Sequence, residues 1–366
     1  YVLGEFFYES QRFESAFPYF ERLSDRCDDF AKSLYLRALL QIDEKLYRSA
    51  AGTLQQAILA AEKNGTDATV IELSYLALAR IAYANSNYYA AVFYYRKIDV
   101  KSVRAPTAFF ESAWAYFLNG DSMRALGMFH ALHSPAMAHF FYPELWILEA
   151  TVYLNTCNYG ESRHALERFK AEVALLAPPL KRFLQTARNP MDTYRGIIST
   201  LQGSNASGLP MALTRPLLAD VDFYNLYRTI RQIELEEKTL TDSRDELGDF
   251  ARSLLARLAT ARQNTLIRAG IRAQRVLRDV AGDIDKFSTN VTEIEIDLSD
   301  IEILAIDEET RRLSDAAAEE AAATEEAARG AVAIVGSDSM AWPFEGEFWV
   351  DEIPYYRSMI NDRCIR

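Results

Sequence analysis

The sequence predicts an all-α protein: a helical solenoid, then a long antiparallel coiled-coil-like helical hairpin, then an aromatic C-terminal tail. Three observations carry that expectation. Ala16, Phe20 and Leu23 recur after 34 residues as Ala50, Leu54 and Ala57, and Ala79, Ala91, Tyr95 and Ile98 recur at the same interval as Ala113, Ala125, Phe129 and Leu132. A small residue where two helices touch, followed by larger apolar residues one and two turns on, is what a stacking helix pair needs. Later in the chain Leu226, Ile230, Ile233, Leu240, Leu247, Leu254 and Leu258 keep a three-and-four spacing, which Leu266, Ala269, Ala273, Val276 and Val280 resume. That is the stripe of a coiled coil. The third observation is the tail, where Trp342, Phe344, Phe348, Trp349, Tyr355 and Tyr356 fall within fifteen residues.

The 366 residues suffice for a sizeable core or two domains, and 49% apolar with 25% charged content is that of a globular chain. A net charge of −12 disfavours non-specific binding to DNA or to an anionic membrane. No run approaches the length of a membrane-spanning helix. If Gly4 fills the small position of the first helix, that helix should begin before Tyr1, so the sequence is expected to open inside a helix. Cys27, Cys157 and Cys364 supply neither a disulfide framework nor a metal knuckle. They read as two core or surface thiols and a tail thiol, and a bridge to Cys364 requires an oxidising compartment.

Residues 1–169 read as five helix pairs with Gly4 and Ala16, Ala38 and Ala50, Ala79 and Ala91, Ala113 and Ala125, and Ala150 and Ser162 at the close contacts. Turn signals fall at residues 85–87 (NSN), 119–121 (NGD) and 158–160 (NYG). These residues and their spacing resemble the tetratricopeptide repeat family. The frequent Trp, the Leu-Gly pair and the terminal Pro of that family are mostly absent, although Leu3-Gly4 and Pro135 echo them. The resemblance implies a right-handed solenoid whose inner groove is lined by Tyr8, Tyr35, Ile42, Leu76, Tyr83, Phe110, Trp114, Phe117, Ile147 and Leu154, with Arg80 nearly alone as a charge. Of these, Tyr35, Tyr83, Phe110, Trp114 and Phe117 are the expected protein-binding residues. The basic clamp for terminal carboxylates is missing, so the groove suits an apolar or helical ligand, or a segment of its own chain. The opposing reading makes these aromatics inter-repeat core.

Residues 170–201 are helical but broken by Pro178, Pro179 and Pro190, and are expected to cap the array. Residues 202–210 (QGSNASGLP) are the expected linker. In the hairpin, 211–335, residues 251–278 hold seven arginines and no acid, whereas 298–325 hold nine acids against Arg311 and Arg312. A turn at residues 287–290 (FSTN) would place the arginines opposite the acids, so the basic stretch neutralises itself. Two arms of roughly 65 Å would result at 1.5 Å per residue. Pairing of these helices between chains and a nucleic-acid arm are the alternatives. The Ala/Glu run after Ser314 reads as a solvated helix, and the alternation of Ile294, Ile296 and Leu298 also permits a short strand.

The tail, 336–366, is too aromatic to leave in water, so it packs on the chain's own helices or on a partner, for which its six aromatics are the expected anchors. Its WPFEGEFW stretch resembles tails of repeat proteins in envelope and motility machineries of deltaproteobacteria. No phosphate loop, nucleophile elbow or zinc-protease motif is present. His130, His133 and His139 are the one candidate metal cluster, but no Asp or Glu accompanies them at ligand spacing. The tail carboxylates have no recognisable cleft in which to act as a catalytic pair.

The expectation is therefore a scaffold with no catalytic residues, cofactor, metal or small-molecule substrate. It would hold proteins of a multisubunit assembly together, with no nucleic acid bound and membrane association only through partners. A bacterial cell-envelope machine of motility, pilus or secretion type is the preferred setting, placing the chain in the periplasm or envelope. The alternatives are a soluble cytoplasmic adaptor or regulator, a structural subunit of a filament or ring, and a metal-dependent enzyme using the histidines.

Overall fold

The computed structural model describes residues 1–65, 68–137, 140–319, 346–349, 352–358, 360 and 363–364. The described residues are helical or irregular, with no strand among them. They fall into two compact units: Tyr1–Met137 with the tail residues up to 360, and residues 140–319 with Arg363 and Cys364.

The first unit contains α1 (Val2–Glu9), α2 (Phe13–Glu21), α3 (Phe30–Asp43), α4 (Tyr47–Asn64), α5 (Ala68–Ala84), α6 (Tyr88–Tyr95), α7 (Ala105–Leu118) and α8 (Ser122–Leu132). Each packs on its neighbours in the chain. The second unit opens with another such pair, α9 (Leu145–Asn155) and α10 (Tyr159–Glu172). Gly4, Ala16, Ala38, Ala50, Ala79, Ala91, Ala113, Ala125, Ala150 and Ser162 are all buried. A methyl group on Gly4 would lie 2.7 Å from the Phe20 ring, so the absence of a side chain sets the approach of α1 to α2. Ser162 uses its hydroxyl the same way, donating to the Ala150 carbonyl of the facing helix at 2.9 Å.

One corner recurs in all five pairs. Gln11, Lys45, Ser86, Gly120 and Cys157 each adopt a left-handed backbone, with φ between 54° and 79°. The next amide, of Arg12, Leu46, Asn87, Asp121 or Asn158, donates five residues back at 2.8–2.9 Å, and the left-handed residue's own amide donates three residues back. This is a Schellman stop, which satisfies carbonyls that the ending helix would otherwise leave open. The residue closing each stop is also the N-cap of the next helix, and the Asn87 and Asp121 side chains accept from the Ala90 and Arg124 amides. The last corner lies one residue earlier than its turn signal, because Tyr159 and Gly160 already belong to α10.

The rest of the second unit comprises α11 (Ala177–Thr186), α12 (Pro190–Leu201), α13 (Thr214–Ala219), α14 (Val221–Asp242) and α15 (Arg244–Glu319). Pro178 and Pro190 sit in first turns, where the missing amide costs nothing. Residues 202–210 lie inside this unit rather than at a boundary, and Leu209 is buried in its core. The chain's division into units falls after Met137 instead.

The hairpin differs from its expected form. α15 runs through residues 287–290 without a break, and its left-handed residue is Gly248, at φ 54° and ψ −127°. The turn therefore joins α14 to α15 near 243–248, giving one short arm and one long one. Phe287 and Val291 explain the continuity, since both are buried in the stripe formed by Ala273, Leu277, Val280, Ile284 and Leu298. Ser288 and Thr289 read as turn residues, but their hydroxyls bond back to the Ile284 and Asp285 carbonyls, as helical Ser and Thr do. The alternation at Ile294, Ile296 and Leu298 is likewise helical.

The charge pairing changes accordingly. The basic stretch is answered by α14: Arg262 meets Glu237, and Arg272 grips the Asp220 carboxylate with two hydrogen bonds of 2.9 and 2.6 Å. Burial pushes the Asp220 carboxyl up, but Arg272 and the Phe223 amide outweigh it and hold the group below its ordinary value. The acidic half of α15 is answered by earlier helices, with Asp285 on Lys181, Glu295 on Lys170 and Glu302 on Arg163. These contacts track α15 antiparallel to residues 163–190. Near the start of that track Gln274 donates to the Ala187 and Arg188 carbonyls and to the Thr193 hydroxyl. Gly270 lies against the Pro190 carbonyl, 1.9 Å from where a side-chain carbon would stand.

Candidate protein-interaction surfaces

The five predicted protein-binding residues lie on helices α3, α5 and α7 of the first unit. Tyr35, Tyr83, Phe110, Trp114 and Phe117 are all half-buried. Each thus divides its surface between helix packing and solvent. Tyr35 packs on the Ala31, Leu34 and Ala57 cluster and on the Ala38 and Leu54 cluster. Tyr83 meets Tyr88 edge-on at 5.5 Å, and Trp114 meets Phe117 at 6.5 Å. Arg80 is paired: its guanidinium spans both Glu111 oxygens, at 2.6–3.1 Å, linking α5 to α7. Burial, then the nearby Glu111 carboxylate, raise the Tyr95 phenol far above the ordinary range. A second ion pair, Arg104 with Glu72, is reinforced by the Ser102 hydroxyl on the same carboxylate oxygen. Arg80 is therefore a paired charge among these aromatics, not a lone cation.

The tail's described residues dock on α8 and its surroundings. Phe348 stacks on His130 with centroids 4.8 Å apart, and Tyr356 meets the same ring edge-on at 5.3 Å. The Trp349 amide donates to the Tyr356 hydroxyl at 2.8 Å, and the Ser358 amide donates to the Met123 carbonyl at 3.2 Å. Ile353 and Tyr356 are buried. The contact is possible because α8 has a glycine at its centre: a side-chain carbon on Gly127 would stand 1.9 Å from the Tyr356 carbonyl oxygen. An isolated glycine inside a strong helical pattern was the signal for such a close approach, and sequence reasoning passed over it.

Trp349 and Tyr355 keep an outward face, 44% and 63% exposed, with the Arg96 guanidinium 5.3 Å above the Tyr355 ring. Tyr355 also borders a cavity of about 250 Å³ walled by Tyr95, Arg96, Asp99, Ser112, Tyr116, Met128 and Pro354. Trp342 and Phe344 lie outside the described residues. So does His139, and the described His130 is committed to the tail rings. Among the described residues no group of three or more His, Cys, Asp or Glu side chains is placed to hold a metal ion.

In the second unit, Cys157 and Cys364 form a disulfide, with Cα atoms 5.1 Å apart. The tail thiol reading is thereby replaced by a bridge across 207 residues of sequence. It is anchored at the fifth Schellman corner, where the Arg363 amide also donates to the Thr156 carbonyl at 3.0 Å. Cys27 is a free thiol.

These features define a protein of serially paired helices with a tail docked on its own surface. No protein-family model, curated protein or solved structure matches the chain. No helix among the described residues is long and apolar enough to cross a membrane.

Proposed function

We propose that the chain is a non-enzymatic scaffold for protein–protein interaction, built on a right-handed solenoid of the tetratricopeptide type. The observation that carries this reading is the five-fold recurrence of one corner, with small buried residues at the same place in every pair. Serial helix pairs made this way generate extended surfaces, which is why such arrays bind other proteins. The half-buried aromatics of α3, α5 and α7 and the outward faces of Trp349 and Tyr355 are the contact residues we assign. The Cys157–Cys364 bridge favours an oxidising compartment, and with it an envelope assembly over a cytoplasmic adaptor.

The test is crosslinking and affinity capture from membrane and soluble fractions, using the wild-type chain beside Trp114→Ala and a Trp349→Ala/Tyr355→Ala variant. Recovery of envelope-assembly proteins by the wild type, lost in either variant while the melting temperature holds, is the expected result. Equal recovery by all three, or recovery of cytosolic proteins alone, overturns it.

A further inference from the structure

The outer face of α15, turned away from its buried stripe, carries a second heptad pattern that stays exposed among the described residues. Phe250, Arg257, Asn264 and Ile271 follow one another at seven-residue steps. So do Arg268 and Arg275, then Glu293, Asp300 and Asp307, and Ile296 and Ile303. All are exposed. Phe250, Ile296, Ile303 and Leu304 leave more than half of their surface in solvent. None of the named arginines or carboxylates makes an ion pair with a described residue. Seven-residue repeats of this kind are what a supercoiled partner helix reads.

The two halves of the face are opposite in charge, with arginines towards the start and carboxylates towards the end. Between them sits Gly282, exposed, with no atom within 4 Å of where a side-chain carbon would stand. A glycine in a helix interior is destabilising relative to alanine, and no contact with a described residue requires it. A close crossing by another helix would.

We propose that two copies of this chain pair antiparallel along the outer face of α15, with the two-fold axis at Gly282. In that register Arg257 of one copy faces Asp307 of the other, Arg268 lies within a turn of Glu293, and the Asn264 amide faces the Asp300 carboxylate. The same contacts repeat on the other side of the axis, as a two-fold interface demands. A second copy is the occupant because the face is complementary to its own reverse, base against acid, while a parallel partner would set like charges together. The isoleucines and Phe250 supply apolar contact, and the charges set register and orientation.

Sedimentation equilibrium of the full chain, up to about 100 µM and at low and high salt, tests this. The expected result is a dimer that weakens as salt rises. Arg257→Glu/Arg268→Glu and Glu293→Arg/Asp307→Arg should each be monomeric alone and should associate when mixed, because the mixture restores every opposite-charge contact. Gly282→Leu should be monomeric with its helical circular dichroism retained, which separates loss of pairing from loss of fold. A wild-type chain that remains monomeric throughout overturns the proposal and leaves the face to a different protein. Charge variants that dimerise alone, or fail to associate when mixed, overturn it as well.

Discussion

Single residues set the geometry at two kinds of place, left-handed corners and glycine contacts. Only Gly120 of the five corner residues is the type that enters the left-handed region without steric cost. Gln11, Lys45, Ser86 and Cys157 adopt it because two backbone hydrogen bonds and the following helix hold them there. Gly127 is the opposite case, an ordinary helical position where a side chain would strike the tail. Gly127→Ala should free the tail from α8 and lower stability by about 1–3 kcal/mol, the usual cost of overpacking. Thermal melting together with protease sensitivity near Tyr355 checks it, and an unchanged digestion pattern would show that the tail docks elsewhere. The 34-residue ladder was legible because each small residue leaves its own trace in the sequence. The meeting of Gly127 with Tyr356 left no pair pattern, since the two are distant in sequence and one contributes a backbone atom.

At the scale of elements, burial decided what turn chemistry suggested otherwise. A Phe-Ser-Thr-Asn stretch midway between basic and acidic halves looks like the apex of a symmetric hairpin. Phe287 and Val291 belong to the buried stripe, however, and breaking the helix there would take both out of the core. Ser288→Pro distinguishes the two forms. At a turn it would be tolerated, whereas inside α15 it should cost about 3 kcal/mol or more through the lost hydrogen bond and the clash with the preceding turn. Chemical denaturation gives the value, and a loss below about 1 kcal/mol would favour a turn at that point. The linker was misread for a related reason: turn-rich composition marks where the chain leaves a helix, and Leu209 buries it all the same. Charge sums over a segment likewise led to the expectation that the arginines are neutralised, but did not say by which helix or how many of them. α14 supplies Glu237 and Asp222, and Asp220 caps its start, because it is the element that the Gly248 turn folds back onto α15.

For the molecule as a whole, the disulfide closes the longest covalent loop among the described residues. Closing 207 residues with one bond removes denatured-state freedom equivalent to about 5 kcal/mol in the chain-entropy model. Cys157→Ser and Cys364→Ser should therefore each lower stability by about 2–5 kcal/mol. Reductant should produce the same drop in the wild type and none in either variant. Equal melting of wild type and variants under oxidising conditions would show that the bond does not support the fold. Three cysteines without spacing carried no such information, because pairing over that distance depends on where the tail lies. The all-helical class, the five close-contact pairs and the presence of a long charged helix follow from local pattern, since a helix repeats its environment every turn and writes that period into the chain. The place of the turn, the partners of the charges, the docking of the tail and the pairing of Cys157 with Cys364 were settled only by the tertiary structure. Each depends on contacts between residues far apart in sequence, and such contacts have no period to read.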